Sequence, residues 1–269
     1  MSETGTLRVG MDASFPPFES VSADGRLVGL DVDLARELGQ RLGIEVQFIS
    51  NLPYDGLYDA LTAGSDRNRM GVDVVISALA VNSARMTDFA YSTSYFDAGQ
   101  VLVVHEGESG IEEMADLGER TLAVEFGTRG DMEARRWTQK LTDFTVAPYQ
   151  TASEALEAAA AGATDAALVD HVSALTAVGK LSGDPENPRE LVIVGKPVVE
   201  EPYAVAMRKE NQRLLRKINE ALAGMEADGT LEMLIEQWIC AQPITIKSEH
   251  KKRAKRMCST SLVQNLAQE

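Results

Sequence analysis

Apolar residues recur along this chain in two rhythms, short β-branched runs and longer stretches with one apolar residue per helical turn. Leu7 to Met11 is a short strand with Asp12 at its carboxyl end. From Gly29 the period lengthens: Leu30, Leu34, Leu38 and Leu42 fall one turn apart and Gly43 ends the helix. Ile44 to Ile49 is the next strand, and Tyr54 begins a second helix, YDGLYDALTAG. After SDRNRMGV, which reads as a surface insertion, Asp73 opens the run Val74 to Ile76, closed by Ser77. Its length and branching predict a buried parallel strand, so this first segment is a βαβαβ unit.

The second half repeats the rhythm. Gln100 to Val104 reads as a strand leaving the first lobe, followed by a helix near Ile111 to Asp116, strand Thr121 to Glu125, the loop FGTRGD and a helix to about Lys140. Strand Phe144 to Tyr149, helix SEALEAAAAG and strand DAALVD complete the unit. That last pair echoes DALTAG and VDVVIS, each a helix ended by Gly, then Asp, an apolar strand and a polar terminus, which predicts two similar lobes. Leu191 to Val194 and Tyr203 to Met207 lead back, and helices Asn211 to Ala227 and Thr230 to Ile239 close the fold. The reading is α/β: two Rossmann-like lobes, residues 5–97 with 203–240 and residues 101–196, joined by hinge strands at 97–101 and 196–203. Such a double hinge implies closure around a ligand.

Candidate chemistry collects at the strand ends. Ser77, Ala78 and Ala80 are small where the chain leaves the sheet, so that backbone N–H groups can face a ligand beyond the strand's carboxyl end. Arg85 follows, a fixed cation whose planar fork suits a carboxylate; the plainer alternative is a solvated charge on a short surface helix. The loop ASFPPFES holds Phe15 and Phe18 in extended chain, where prolines forbid a helix.

These residues carry a family resemblance. Asp73, Ala78, Leu79, Ala80, Val81, Asn82 and Arg85, followed by Tyr91, Ser92 and Tyr95, fall in register on D-x-x-x-x-G-[MLI]-[TS]-I-T-x-x-R and F-S-x-P-Y. That pattern is typical of family 3 extracytoplasmic solute-binding proteins, the polar amino acid binders of ABC transporters. LRVGMDASFPPFES and GRLVGLDVDLARELGQRLG extend the resemblance, which covers most of residues 6 to 240. It implies the type 2 periplasmic-binding-protein clamshell, a free amino acid as ligand, a membrane permease as partner, no cofactor and no catalytic residue. Asp12, Phe15 and Tyr54 would then face the ligand side chain. Arg85, with backbone donors at Ala80 and around Thr128 and Arg129, would hold its carboxylate, and Asp170 its ammonium. Ala80 and Arg129 depart from the family, which favours a small hydroxyl at both places. Asp170 also has the spacing of a helix N-cap. Two unassigned acids, Asp12 and Glu125, favour a basic ligand such as arginine, lysine or ornithine; if Glu125 is neutralised by Arg129, a neutral ligand such as glutamine fits, and an acidic one could use Arg129.

Charge and composition narrow the field. The net charge of −15 argues against nucleic acid. It is uneven: residues 242–269 carry Lys247, Lys251, Lys252, Arg253, Lys255 and Arg256 against Glu249 and Glu269, and read as a disordered basic extension. Cys240 and Cys258 straddle that boundary, with a free thiol as the default. MSETGTLRVG lacks the features of a secretory signal, so placement outside the cytoplasmic membrane implies a signal or anchor removed. A monomer is expected. His105, His171 and His250 have no metal-ligand spacing, and no hydrolase elbow or phosphate-binding loop is present. The rivals on the same fold are the sensing module of a receptor and a dehydratase of the cyclohexadienyl or arogenate type.

Overall fold

A computed structural model describes residues 5–63, 71–105, 110–181 and 191–240. Most of the expected insertion, the basic extension, Cys258 and His250 lie outside the described residues. In chain order the elements are β1 (Thr6–Gly10), β2 (Ser14–Phe15), β3 (Glu19–Val21), β4 (Leu27–Val28), α1 (Leu30–Leu42), β5 (Glu45–Ile49), α2 (Leu57–Ala63), β6 (Val74–Val75) and β7 (Phe89–Asp97). Then come β8 (Gln100–His105), β9 (Thr121–Glu125), α3 (Arg129–Trp137), β10 (Thr145–Tyr149), α4 (Ala152–Ala161), β11 (Ala166–Asp170) and α5 (His171–Leu181). The last are β12 (Leu191–Val199), β13 (Pro202–Arg208), α6 (Gln212–Ala227) and α7 (Thr230–Ile235).

The chain divides into two compact units, one built from the segment up to Phe96 together with Pro202–Trp238, the other from Asp97–Glu201. In the first, the sheet order is β5-β1-β6-β13-β7, with β1 parallel to β5 and β6 and β13 antiparallel to β6. In the second it is β10-β9-β11-β8-β12, with β9 parallel to β10 and β11, and β8 antiparallel to β11 and β12. In each sheet three parallel strands are thus followed by a returning antiparallel one, with a fifth strand at the edge beyond it. The repeat reaches single atoms. Arg8 grips Asp73 through Nε at 3.1 Å and Nη2 at 3.0 Å, and Arg120 reaches Asp165 at 3.1 Å. In both units this aspartate, just before a central parallel strand, ties it to the start of its neighbour.

Helix α1 forms because its leucine stripe has a core to bury: Leu30, Leu34 and Leu38 are fully enclosed, Asp31 and Asp33 occupy its first turn, and Gly43 ends it at φ 64°. In the second unit both sheet faces are covered. Val101, Val103, Ala123, Ala167 and Val169 pack beneath α4 and α5, while Leu102, Val104, Leu122, Val124 and Leu168 pack on the other side with Ala134 of α3. That double burial explains the unbroken apolar strands.

Several elements differ from the sequence reading. The loop ASFPPFES is the edge of a small antiparallel sheet, β2-β3-β4, whose strands are too short to show a period. β7 was not expected, because Ser92 takes a buried place in it; its Oγ accepts from Val205 N at 3.0 Å. The helix expected at 111–116 is a single 3-10 turn, Met114–Leu117, closed by Glu113 and Asp116 bonding each other's backbone N–H. The helix from Tyr54 opens as a 3-10 turn over Tyr54–Gly56, and the closing helix gives way to a π turn, Glu236–Cys240.

The chain crosses between the units twice, and the two crossings are fastened together. Asp97 Oδ1 accepts from Gly99 N at 2.8 Å and from Glu201 N at 2.9 Å. The strands run so close there that a Cβ on Gly99 would sit 1.9 Å from the Val199 carbonyl oxygen.

Candidate functional site

In the first unit the expected residues gather beyond the carboxyl ends of β1 and β6. Asp12 N–H donates to Ser77 Oγ at 3.0 Å, and the Asp12 carboxylate accepts from Ser14 Oγ at 2.7 Å. Phe15 is 51% exposed and stacks on buried Phe18 at 5.8 Å between ring centroids. Phe18 in turn meets Phe96 and Tyr203 edge-on, so the exposed ring has a fixed base.

The turn after β6 is differentiated residue by residue. Ser77 and Ala78 face inward: the Ser77 hydroxyl donates to Glu19 at 2.7 Å and Ala78 N–H to Asp31 at 2.5 Å. The expectation that Ala78 offers its N–H to a ligand is therefore corrected, since that donor is already used. Ala78 is held at φ 41°, a left-handed conformation that glycine adopts without strain. Ala80 bridges Tyr203 through bonds made by its neighbours, Val81 N to Pro202 O and Ala204 N to Leu79 O. In such a pair the central amide points away from the partner strand, which leaves Ala80 N–H turned toward the loop side.

Arg85 ends a 3-10 turn, Ser83–Arg85, capped by the Asn82 side chain on Ala84 N at 3.0 Å. Its guanidinium is exposed, lies 4.7 Å over the Tyr58 ring, and has no carboxylate partner among the described residues. The Tyr58 hydroxyl meets that of Tyr91 at 2.7 Å, and burial together with that contact pushes its pKa well up. Tyr54, the aromatic expected from the sequence, is 52% exposed, and Tyr58 is a further aromatic of the same segment that meets Arg85. The spacing of YDGLY, aromatics one helical turn apart on one face, was the available signal.

In the second unit, Glu125 and Asp170 end the parallel strands β9 and β11. Burial and the nearby charge of Asp170 push the Glu125 carboxyl up. Asp170 Oδ1 accepts from Ser173 N at 2.8 Å, so its N-cap role at α5 is present, with one oxygen remaining beyond it. Thr128 caps α3, its hydroxyl donating to Glu125 O at 2.8 Å and accepting from Asp131 N at 3.3 Å. Arg129 pairs with Glu201 at 2.6 Å, not with Glu125, which corrects the alternative in which those two neutralise each other. His171 is buried, its Nδ1 2.7 Å from the Asp97 carbonyl, and burial lowers its pKa; it belongs to the fold.

Among the described residues no His, Cys, Asp and Glu cluster could hold a metal ion, and no helix is long and apolar enough to cross a membrane. The chain is similar to the L-cystine-binding protein TcyJ of Escherichia coli K12, 32% identical over 90% of this chain and 85% of that one. It is 30% identical to the histidine-binding periplasmic protein of Salmonella typhimurium, over 86% of each. The solved L-cystine solute receptor of Neisseria gonorrhoeae, in its unliganded open conformation, matches with a TM-score of 0.70 at 27% identity, over 89% of this chain and 96% of that one. The model of the bacterial extracellular solute-binding proteins, family 3, matches residues 7–241. With the family model spanning nearly the whole described chain and these relatives in agreement, the chain belongs to the family 3 bacterial extracellular solute-binding proteins, which adopt the two-lobed type 2 periplasmic-binding-protein fold.

Proposed function

We propose that this protein binds a free amino acid outside the cytoplasmic membrane and delivers it to an ABC transporter permease, without catalysing a reaction. The observation that carries the reading is Arg85, an exposed planar cation backed by an aromatic ring and lacking a carboxylate partner among the described residues. Such a group is suited to an incoming α-carboxylate. Ala80 N–H and the first amides of α3, around Thr128 and Arg129, add donors. Asp170 takes the α-ammonium through the oxygen that Ser173 does not occupy. Residues 97–101 and 196–203 serve as hinges in this reading. Names of the similar proteins, which bind cystine and histidine, support an amino acid ligand.

For the side chain we infer a cationic group, as in arginine, lysine or ornithine. Glu125 lies near Asp170, and Arg129 is engaged by Glu201 and does not cancel it. Asp12 adds an acid in the first unit, and Phe15 and Tyr54 offer ring faces to a guanidinium or ammonium. Cystine is the second reading, favoured by two relatives and by its own chemistry, since its far end carries a second ammonium.

A thermal-shift screen of the twenty amino acids with ornithine and cystine tests both, because a ligand bound only by the folded state raises its melting temperature. A rise with arginine or lysine, abolished by Arg85→Ala and by Asp170→Asn, is expected. The asparagine keeps the helix cap and removes only the charge. If both variants bind as the wild type does, the site assignment fails.

A further inference from the structure

Beneath the turn that carries Ser77, Ala78 and Ala80 lies a pair of carboxyl groups that ligand binding does not use. Glu19 in β3 and Asp31 in the first turn of α1 are 1% and 0% exposed. Each has one well-occupied oxygen. Glu19 Oε1 accepts from Ser77 Oγ at 2.7 Å, and Asp31 Oδ2 accepts from Ala78 N at 2.5 Å and Tyr95 OH at 3.0 Å. The other two oxygens, Glu19 Oε2 and Asp31 Oδ1, are buried and receive no donor among the described residues. The two side chains take their bonds from consecutive residues of one turn, Glu19 from Ser77 and Asp31 from Ala78, so the carboxyl groups are buried side by side.

Two ionised carboxylates cannot bond one another, and among the described residues no cation pairs with either of them. The groups facing them are the acid Asp12, the hydroxyls of Ser77 and Tyr95, and the Ala78 amide; Tyr203 stands behind Tyr95. Two adjacent uncompensated buried charges are strongly unfavourable, whereas one proton on the pair removes one of those charges and supplies a donor where the protein offers too few. The donors decide where it rests. Asp31 receives two of them and sits at a helix N-terminus, which stabilises an anion; Glu19 receives only a hydroxyl.

We propose that Glu19 and Asp31 share one proton, held on Glu19, and act as a positioning pair that fixes the Ser77–Ala80 turn in its ligand-binding shape. Asp31 holds the Ala78 amide while that residue occupies its left-handed conformation, and Glu19 aligns Ser77, whose oxygen in turn receives Asp12 N–H. Both strand ends bearing the first unit's ligand residues are fastened to one network. The buried pair stands on geometry alone, while its effect on binding rests on the amino acid reading above.

Infrared spectroscopy of the unliganded protein at neutral pH tests the shared proton. The C=O stretch of a protonated carboxylic acid is expected in the wild type, shifted in D2O and absent from Glu19→Gln. Its absence from the wild type, or its survival in Glu19→Gln, would overturn the proposal. The NMR shift of the Ala78 amide proton reports positioning; it should move upfield in Asp31→Asn and stay in place in Glu19→Gln. With arginine as the probe, Glu19→Gln should bind within about twofold of wild type and Asp31→Asn at least about tenfold more weakly. Equal binding by Asp31→Asn would overturn the positioning role. Should Asp31→Asn not fold, Tyr95→Phe removes one donor from Asp31 and should shift both the infrared band and the Ala78 amide; an unmoved amide counts against the pair. If arginine does not bind even the wild type, the basic-ligand reading falls, while the two spectroscopic measurements still decide the pair.

Discussion

The Arg85 guanidinium rests 4.7 Å above the ring of Tyr58. The ring is itself anchored through the Tyr58 and Tyr91 hydroxyls, 2.7 Å apart. A long cation is thereby kept from collapsing onto the surface, and the order is imposed before any ligand arrives. Such contacts contribute about 0.5–1 kcal/mol at exposed sites.

Removing the ring therefore weakens binding without removing the charge. Tyr58→Ala is expected to lower arginine affinity by about twofold to fivefold. Tyr58→Phe, which keeps the ring, should stay close to wild type by isothermal titration calorimetry. Equal affinity for Tyr58→Ala would mean that Arg85 needs no support.

Ala78 offers a stability test. Its φ of 41° is strained for any residue with a Cβ. Ala78→Gly relieves that strain, offset in part by the greater freedom of glycine in the unfolded chain, for a net gain of about 1 kcal/mol. Calorimetry should show a melting temperature higher by about 2–4 °C. Ala78→Val, with a branched side chain in the same place, should lower it.

The buried acid pair gives stability a pH dependence of known sign. Burial first, and then the charge of Asp31, raise the Glu19 carboxyl above its ordinary value. The folded state then binds a proton that the unfolded state releases above about pH 4.3. This contribution is complete below that pH and declines as the solution becomes more alkaline. Glu19→Gln cannot ionise, so its stability relative to wild type should rise from pH 5 to 9 in urea titrations; Asp12, Asp31 and Tyr95 are the other titrating groups that face it. A constant difference across that range would contradict the shared proton.

The repeated arginine–aspartate ties differ in burial, and so should their worth. Asp73 is 3% exposed and Asp165 35%. Burial works to raise the Asp73 pKa, but bonds from the Arg8 side chain and backbone hold it below the usual value. Arg8→Met strands that carboxylate and should cost about 3 kcal/mol, whereas Arg120→Met should cost about 1 kcal/mol or less. Chemical denaturation of the two variants compares them directly.

Much of the fold was legible because burial writes a period into the chain. The leucines of α1, the apolar runs of β9 and β11 and the helix-Gly-Asp-strand repeat each carry their environment in sequence. β7 did not, because its buried Ser92 is satisfied by Val205, a residue 113 positions away. The Glu19–Asp31 pair escaped for the same reason: a glutamate after Phe18 reads as a loop acid until Ser77, 58 positions on, is seen against it. Arg85 and Asp170 were legible as candidates by register. That Arg129 belongs to Glu201 rather than Glu125 depends on a partner 72 residues later, which no local spacing contains.

At Gly99 the Val199 carbonyl stands 1.9 Å from where a side chain would begin, beside the aspartate that staples both crossings of the chain. Position 99 therefore admits a single residue type. The smallest alteration that would prise both crossings apart at once is one methyl group.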